Sequence, residues 1–190
     1  MKIGILGGSF NPAHYGHRYI SLTILNKLSL DQIWWIVTPQ NPHKNKNDIL
    51  PIKTRVKIAH QVKKHPKIQI KCLEKQNDIN YSYLLIDKLI KQYPKHQFSW
   101  LMGEDNLMKF HHWKKWDNIT KRIGIIVFPR DKNLVKSSHC KFAIKYKKYF
   151  KPSNLTKTPK VPYWTMIRAP KKNISATEIR RKTLKQSGQN

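Results

Sequence analysis

The chain reads as an α/β protein, a mostly parallel, twisted sheet with helices on both faces. Three observations predict this. Short apolar runs rich in β-branched residues alternate with stretches of helical periodicity from end to end, and strands alternating with helices build a parallel sheet covered on both sides. A segment of small and turn-forming residues, Gly7-Gly8-Ser9-Phe10-Asn11-Pro12-Ala13-His14-Tyr15-Gly16-His17, follows directly on the first run and leads into a helical pattern. The chain has 190 residues, with no internal repeat and no linker, which suits one domain over 1–190 with a real hydrophobic core.

Taken in order, strands are expected at 3–6, 33–37, 68–73, 98–102, 123–128 and 163–168, and helices at about 15–28, 53–64, 81–92 and 140–150. In 53–64 the apolar residues Val56, Ile58, Ala59 and Val62 give a partial 3.6-residue stripe, and Leu84, Leu85 and Leu89 give a better one in 81–92. Residues 151–162 carry three prolines and read as a loop, and the polar end 183–190 is expected to fray. In sheets of this kind ligands bind beyond the C-terminal ends of the strands, which is where the glycine segment falls.

Composition narrows the class. Hydrophobic residues make up 39 % of the chain and include six Trp, which argues against disorder. Cys72 and Cys140 lie far apart with no CxxC pair, so a reducing compartment without a disulfide framework is expected. No run reaches the roughly 20 apolar residues of a membrane span, and the start is too short for a signal peptide; a soluble cytoplasmic protein is the expectation. The charge is unusual: 38 basic against 10 acidic residues, a formal +28. However, 31 of the basic residues are Lys and only 7 are Arg, scattered along the whole chain. Base readout and phosphate forks favour Arg, so the excess reads as solvated surface with a weak, salt-sensitive attraction to polyanions.

The glycine segment carries the chemistry. Backbone amides and a helix N-terminus converge on one point behind the first strand, which makes an anion site. Gly7 and Gly8 let the backbone approach a ligand closely. His14 and His17, three apart, face the same side of a helical first turn. With no Cys or carboxylate at ligand spacing beside them, the two imidazoles suit polyphosphate better than metal. The Gly-Lys-Ser/Thr ending of a Walker loop and the GxGxxG dinucleotide fingerprint are both absent.

This string resembles the GG(T/S)F(D/N)PxHxGH signature of the nucleotidylyltransferase superfamily, whose HxGH element handles the phosphates of ATP. Further segments resemble, within it, the bacterial nicotinate-nucleotide adenylyltransferases. Pro39-Gln40-Asn41-Pro42-His43-Lys44 is similar to their PPH(K/R) loop, implying that Lys44 approaches substrate phosphate as a point charge. Arg55 falls on a weaker position of the same pattern, and a solvated arginine is an equal reading. Leu101-Met102-Gly103-Glu104-Asp105-Asn106-Leu107, with Phe110 and Trp113 following, resembles the GxDxL…F…W segment. There Gly103 permits a tight strand-to-helix turn, Asp105 can accept from ribose hydroxyls, and Trp113 offers a flat face to a pyridine ring.

Tyr81-Ser82 stands where family members carry Tyr-Thr. Ser82 opens a helix whose amides favour an anion such as a pyridine carboxylate, and the resemblance adds the main-chain amide at Lys114. Arg130 falls where the family has an arginine before Pro-Gly, although this chain lacks that Pro-Gly. Finally, Asn173-Ile174-Ser175-Ala176-Thr177-Glu178-Ile179-Arg180 is a capping box by its Ser175 and Glu178. It also resembles the superfamily's ISSTxIR signature, where Ile174, Ser175, Thr177 and Arg180 hold ATP phosphates.

The resemblance spans residues 1 to about 181. It implies a Rossmann-like nucleotidylyltransferase fold and transfer of an adenylyl group from ATP to nicotinate mononucleotide. The implied catalytic set is His14, His17, Lys44, Arg130 and Arg180. Gly7, Gly8, Ser9, Phe10, Asn11, Gly103 and Asp105 join the ATP-binding residues, and Lys44, Ser82, Asp105, Trp113 and Lys114 take the pyridine nucleotide. Mg²⁺ is expected on ATP phosphates and water, since no carboxylate cluster is present. Two other readings are a phosphopantetheine adenylyltransferase, which shares the first motif only, and a basic RNA-binding module, which leaves the motifs unexplained.

Overall fold

The computed structural model describes residues 1–38, 49–72, 81–129, 139–153 and 159–167. Six strands form the sheet: β1 (Lys2–Gly8), β2 (Gln32–Val37), β3 (Ile68–Cys72), β4 (Gln97–Gly103), β5 (Gly124–Phe128) and β6 (Trp164–Met166). The helices between them are α1 (Tyr15–Leu28), α2 (Ile52–Lys63), α3 (Ser82–Gln92), α4 (Glu104–Lys109), α5 (Trp116–Arg122) and α6 (Lys141–Lys145). All pairings are parallel, and the strand order is β3-β2-β1-β4-β5-β6. The order reverses between β1 and β4, the position at which sheets of this kind form a ligand crevice beyond the strand C-termini.

Alternation along each strand sorts the core into two layers. Ile3, Ile5, Trp34, Ile36, Trp100, Met102, Ile125 and Val127 face α3, α5 and α6. Leu6, Ile33, Trp35, Val37, Leu101 and Ile126 face α1 and α2. Both faces are buried, so β2 and β5 read as continuous apolar runs rather than as alternating ones. Each major helix turns one apolar stripe inward: Ile24, Leu25 and Leu28 from α1, and Leu85, Ile86 and Leu89 from α3.

The expected strands and the first three helices are present, with ends shifted by at most two residues. Two differences have physical causes. α4 and α5 were not separately expected, because helices of six and seven residues are too short to display a period. The helix expected at 140–150 is only α6 followed by a 3₁₀ turn at Lys147–Tyr149. There the Tyr146 carbonyl accepts from Trp164 Nε1 at 2.8 Å, and the Lys151 amide donates to the Trp164 carbonyl at 2.9 Å. Pairing with β6 therefore overrides the helical pattern. The last strand stops at Met166, and the polar end at 183–190 lies outside the described residues. No described helix is long and apolar enough to cross a membrane.

Polar ties lock the far side of the sheet. Tyr163 hydrogen-bonds Ser99 at 2.7 Å, both buried, and burial pushes its phenol pKa up while the Ser99 bond opposes the shift. Asp117 on α5 is held by Lys145 of α6 at 2.6 Å, by Lys121 at 2.9 Å and by the Tyr146 hydroxyl at 2.8 Å. Those contacts, Lys145 foremost, keep its carboxyl well below the usual carboxylate range.

Gly124 makes the Tyr163 position possible, since a Cβ there would lie 2.2–2.4 Å from the phenol ring and its oxygen. Gly124→Ala is therefore expected to cost about 1–3 kcal/mol by overpacking, read as a lower urea midpoint at constant slope. A variant as stable as the parent would show that Tyr163 is free to move aside.

Candidate functional site

The loop behind β1 is built by side chains that grip main chain. Phe10 is buried with φ 44°, a left-handed conformation costly for a non-glycine residue. Its ring packs on Trp35 at 5.3 Å and on His17 at 4.8 Å. Arg55, only 3 % exposed, holds the loop from beneath. Its Nη1 donates to the Ser9 carbonyl at 2.5 Å and to the Thr38 carbonyl at 2.8 Å, and its Nε donates to the Leu50 carbonyl at 2.8 Å. Burial pushes its pKa down, and Cys72 pulls the other way. One planar fork thus joins the glycine loop, the end of β2 and the lead into α2. The Asn11 side chain adds a fourth tie, accepting from the Leu50 amide at 3.0 Å.

His14 and His17 cap α1 reciprocally. His14 Nδ1 accepts from the Gly16 amide and His17 Nδ1 accepts from the His14 amide, each at 3.1 Å. A ring nitrogen that accepts from N–H carries no proton, so in the neutral imidazole the proton sits on Nε2 of both rings. The rings lie 3.9 Å apart by centroid, with His17 5.9 Å from Trp35. The backbone of the helix start therefore fixes both tautomer and orientation. Ser21 supports it from below, accepting from Trp35 Nε1 and donating to the His17 carbonyl, each at 2.8 Å.

Across the crevice, Gly103 ends β4 and Asp105 stands exposed in the first turn of α4. Gly103 has φ −71°, open to any residue, so the tight turn does not need glycine for its conformation. At Gly7, by contrast, a Cβ would meet Trp100 at 2.8 Å. The missing side chain makes room for an indole, a packing role beside the ligand approach expected from sequence. Trp100 in turn abuts Trp113 edge-on at 6.0 Å, and Phe110 abuts it at 5.2 Å. Trp113 is half-buried, held at its edge by these two rings. Ser82 is the first residue of α3, with Tyr81 as an N-cap whose side chain makes no capping bond. Lys114 follows Trp113 with its ammonium 4.7 Å from the centroid of the Tyr81 ring, a side-chain contact between the segment after Trp113 and the residue that precedes Ser82.

Lys44, Arg130, Ile174, Ser175, Thr177 and Arg180 lie outside the described residues. Arg55 is the residue that sequence reading undervalued, and it is buried rather than solvated. The available signal was an arginine in a chain where Lys outnumbers it 31 to 7, since only a guanidinium offers five donors in a fixed fork.

A family model described as Cytidylyltransferase-like matches residues 5–182. A protein of Ruegeria sp. (strain TM1040) named "Probable nicotinate-nucleotide adenylyltransferase" is 36 % identical over 185 residues, covering 96 % of this chain and 97 % of its own. A protein of the same name from Brucella abortus (strain 2308) is 31 % identical over 192 residues, covering 98 % of each. Among solved structures, Plasmodium falciparum nicotinic acid mononucleotide adenylyltransferase complexed with NaAD superposes with a TM-score of 0.70 at 22 % identity. It covers 95 % of this chain and 82 % of that one, a likeness of fold.

The Arg55 fork generates a stability prediction. Arg55→Lys retains charge and three donors, but they leave a single nitrogen and cannot reproduce bonds made from both Nε and Nη1, and each unpaired buried acceptor costs about 1–3 kcal/mol. Urea denaturation should show a loss of at least that size, with faster amide exchange confined at first to the glycine loop and the end of β2. A loss below about 0.5 kcal/mol, within the range of ordinary surface substitutions, would remove Arg55 as the clamp.

Proposed function

This chain belongs to the cytidylyltransferase-like family, among the nicotinate-nucleotide adenylyltransferases, and on that premise we propose how its residues join nicotinate mononucleotide to ATP to give deamido-NAD and pyrophosphate. The observation that carries the proposal is the reciprocal histidine cap at the start of α1. It presents two Nε2–H donors beside a helix N-terminus and the amides of the glycine loop, a set of donors suited to phosphate oxygens.

In this reading the 5′-phosphate of the mononucleotide attacks the α-phosphorus of ATP in line. A new P–O bond forms, the bond to the bridging oxygen of the β-phosphate breaks, and pyrophosphate leaves. The phosphate is already an anionic nucleophile near neutral pH, so no general base is required and no covalent enzyme intermediate forms. Catalysis rests on positioning and on neutralising charge as it moves towards the leaving group. His14 and His17 donate to the ATP phosphates. Lys44, Arg130 and Arg180 are assigned the remaining charge, and Ser175 and Thr177 the hydroxyl donors, with Ile174 beside them. Asp105 accepts from ribose hydroxyls, Trp113 stacks on the pyridine ring, and the amides of Ser82 and Lys114 receive its carboxylate.

Mg²⁺ supplies further charge neutralisation when it arrives with ATP. The ion would be carried on phosphate oxygens and water; among the described residues no group of three or more His, Cys, Asp or Glu is arranged to hold a metal ion. The whole of 1–190 acts as one domain in this reading.

His17→Ala is expected to lower kcat roughly 10²-fold or more by removing a donor to developing charge, and also to cost about 1 kcal/mol of stability through the lost cap. His17→Asn keeps a capping acceptor and should retain stability while losing turnover to a similar degree. Turnover within threefold of the parent in both variants would take His17 out of the mechanism.

A further inference from the structure

The segment between Phe110 and α5 meets the head of α3 through two adjacent rungs of the same kind. The Lys114 ammonium lies 4.7 Å from the Tyr81 ring centroid, and the Lys115 ammonium lies 4.7 Å from that of Tyr83. The two tyrosines stack on each other at 5.9 Å with 27° between their planes. Tyr83 packs against the core, so the outer rung rests on a fixed base, and Arg122 of α5 pairs with Asp87 of α3 one turn further along. The backbone of the segment is also set. The Trp113 amide donates to the Phe110 carbonyl at 2.9 Å and the Trp116 amide to the Trp113 carbonyl at 3.1 Å. Lys115 is the N-cap of α5 in the left-handed region, φ 54° and ψ 33°, a conformation that a lysine adopts only when its surroundings hold it there.

We infer that this paired Lys–Tyr clasp, with Lys115 on Tyr83 as its core-side rung, is a positioning device that sets Trp113 and the Lys114 amide against the first turn of α3 and so tunes selection of a pyridine carboxylate over a carboxamide. The inference rests on the site assignment proposed above. Neither Tyr83 nor Lys115 touches substrate in that assignment. They act by holding two separate donor groups, one on each element, at a single carboxylate-sized spacing. A carboxylate gains from both donors at once, whereas a carboxamide turns an NH₂ towards one of them. Loosening the spacing therefore penalises the nicotinate nucleotide more than the nicotinamide one.

The test measures KM and kcat for nicotinate and nicotinamide mononucleotides, and KM for ATP, in Tyr83→Leu, Lys115→Gln and the double variant. Each single variant should raise KM for nicotinate mononucleotide roughly 3- to 10-fold, as for the loss of a cation–π contact, and lower the ratio of kcat/KM between the two nucleotides. KM for ATP and kcat should stay within twofold. The double variant should be no worse than the worse single one, because both remove one contact. Tyr83→Phe and Lys115→Arg, which keep ring and cation, should behave as the parent. Additive losses, an equal rise in KM for ATP, or an unchanged nucleotide ratio would overturn the clasp. Lys115→Gln alters an exposed side chain, so it answers the question even if Tyr83→Leu folds poorly. A parent enzyme that does not prefer nicotinate mononucleotide would sink the site assignment and the clasp together; a selective parent with indifferent variants sinks the clasp alone.

Discussion

Three main-chain carbonyls from distant parts of the chain converge on one buried guanidinium, and the crevice takes its shape from that convergence. Ser9, Thr38 and Leu50 belong to the glycine loop, the end of β2 and the approach to α2. Without Arg55 these backbone groups would face an apolar layer unpaired, a cost that burial makes severe. With it, the loop that carries Phe10 in a left-handed conformation has a fixed floor. The histidine cap can then hold its two rings in one orientation. Positioning rather than acid–base chemistry is the task assigned to this site, so rigidity at the main chain is what it requires.

A second chain of contacts joins the two halves of the crevice. Gly7 leaves space for Trp100, Trp100 abuts Trp113, and Phe110 closes the other side of that indole. The strand that ends in the glycine loop is therefore packed, through Trp100, against Trp113. A close-packed interior transmits displacement, so a change at Gly7 is felt at Trp113 as well as in the loop. The parallel sheet makes this possible by bringing the ends of β1 and β4 together where the strand order reverses.

The sequence made most of the sheet and the position of the site legible. The runs at 3–6, 33–37 and 123–128 are apolar on both faces, as a doubly covered parallel strand must be, and the glycine segment follows the first of them at its C-terminal end; that the strand order reverses there is seen only in the sheet. The histidine pair was legible as a unit, because a spacing of three fixes a shared side on any helix start. Arg55 was not, since its acceptors are backbone carbonyls 46, 17 and 5 residues away and backbone acceptors leave no trace in side-chain pattern. The break after α6 was hidden for a similar reason: Trp164 captures the Tyr146 carbonyl from far along the chain. Gly7 reads in the sequence as room for a ligand, whereas the group that fills the space beside it is the Trp100 indole, which only the packing identifies. The charge also looks different in three dimensions. With 10 acidic residues for 38 basic ones, Lys71, Lys114, Lys115, Lys145 and Lys148 each settle over an aromatic ring. In this way aromatic faces serve where carboxylates are scarce.

In the proposed function the crevice aligns an ATP α-phosphate with a pyridine mononucleotide whose carboxylate is read by main-chain donors. The most direct measurement is pyrophosphate release from ATP with nicotinate mononucleotide, nicotinamide mononucleotide or phosphopantetheine offered separately as acceptor. The account predicts one pyrophosphate per dinucleotide formed, kcat/KM for the nicotinate nucleotide roughly 10²-fold above that for the nicotinamide nucleotide, as two mismatched donors require, and no turnover with phosphopantetheine. Equal efficiency with the two mononucleotides, or a preference for phosphopantetheine, would contradict it.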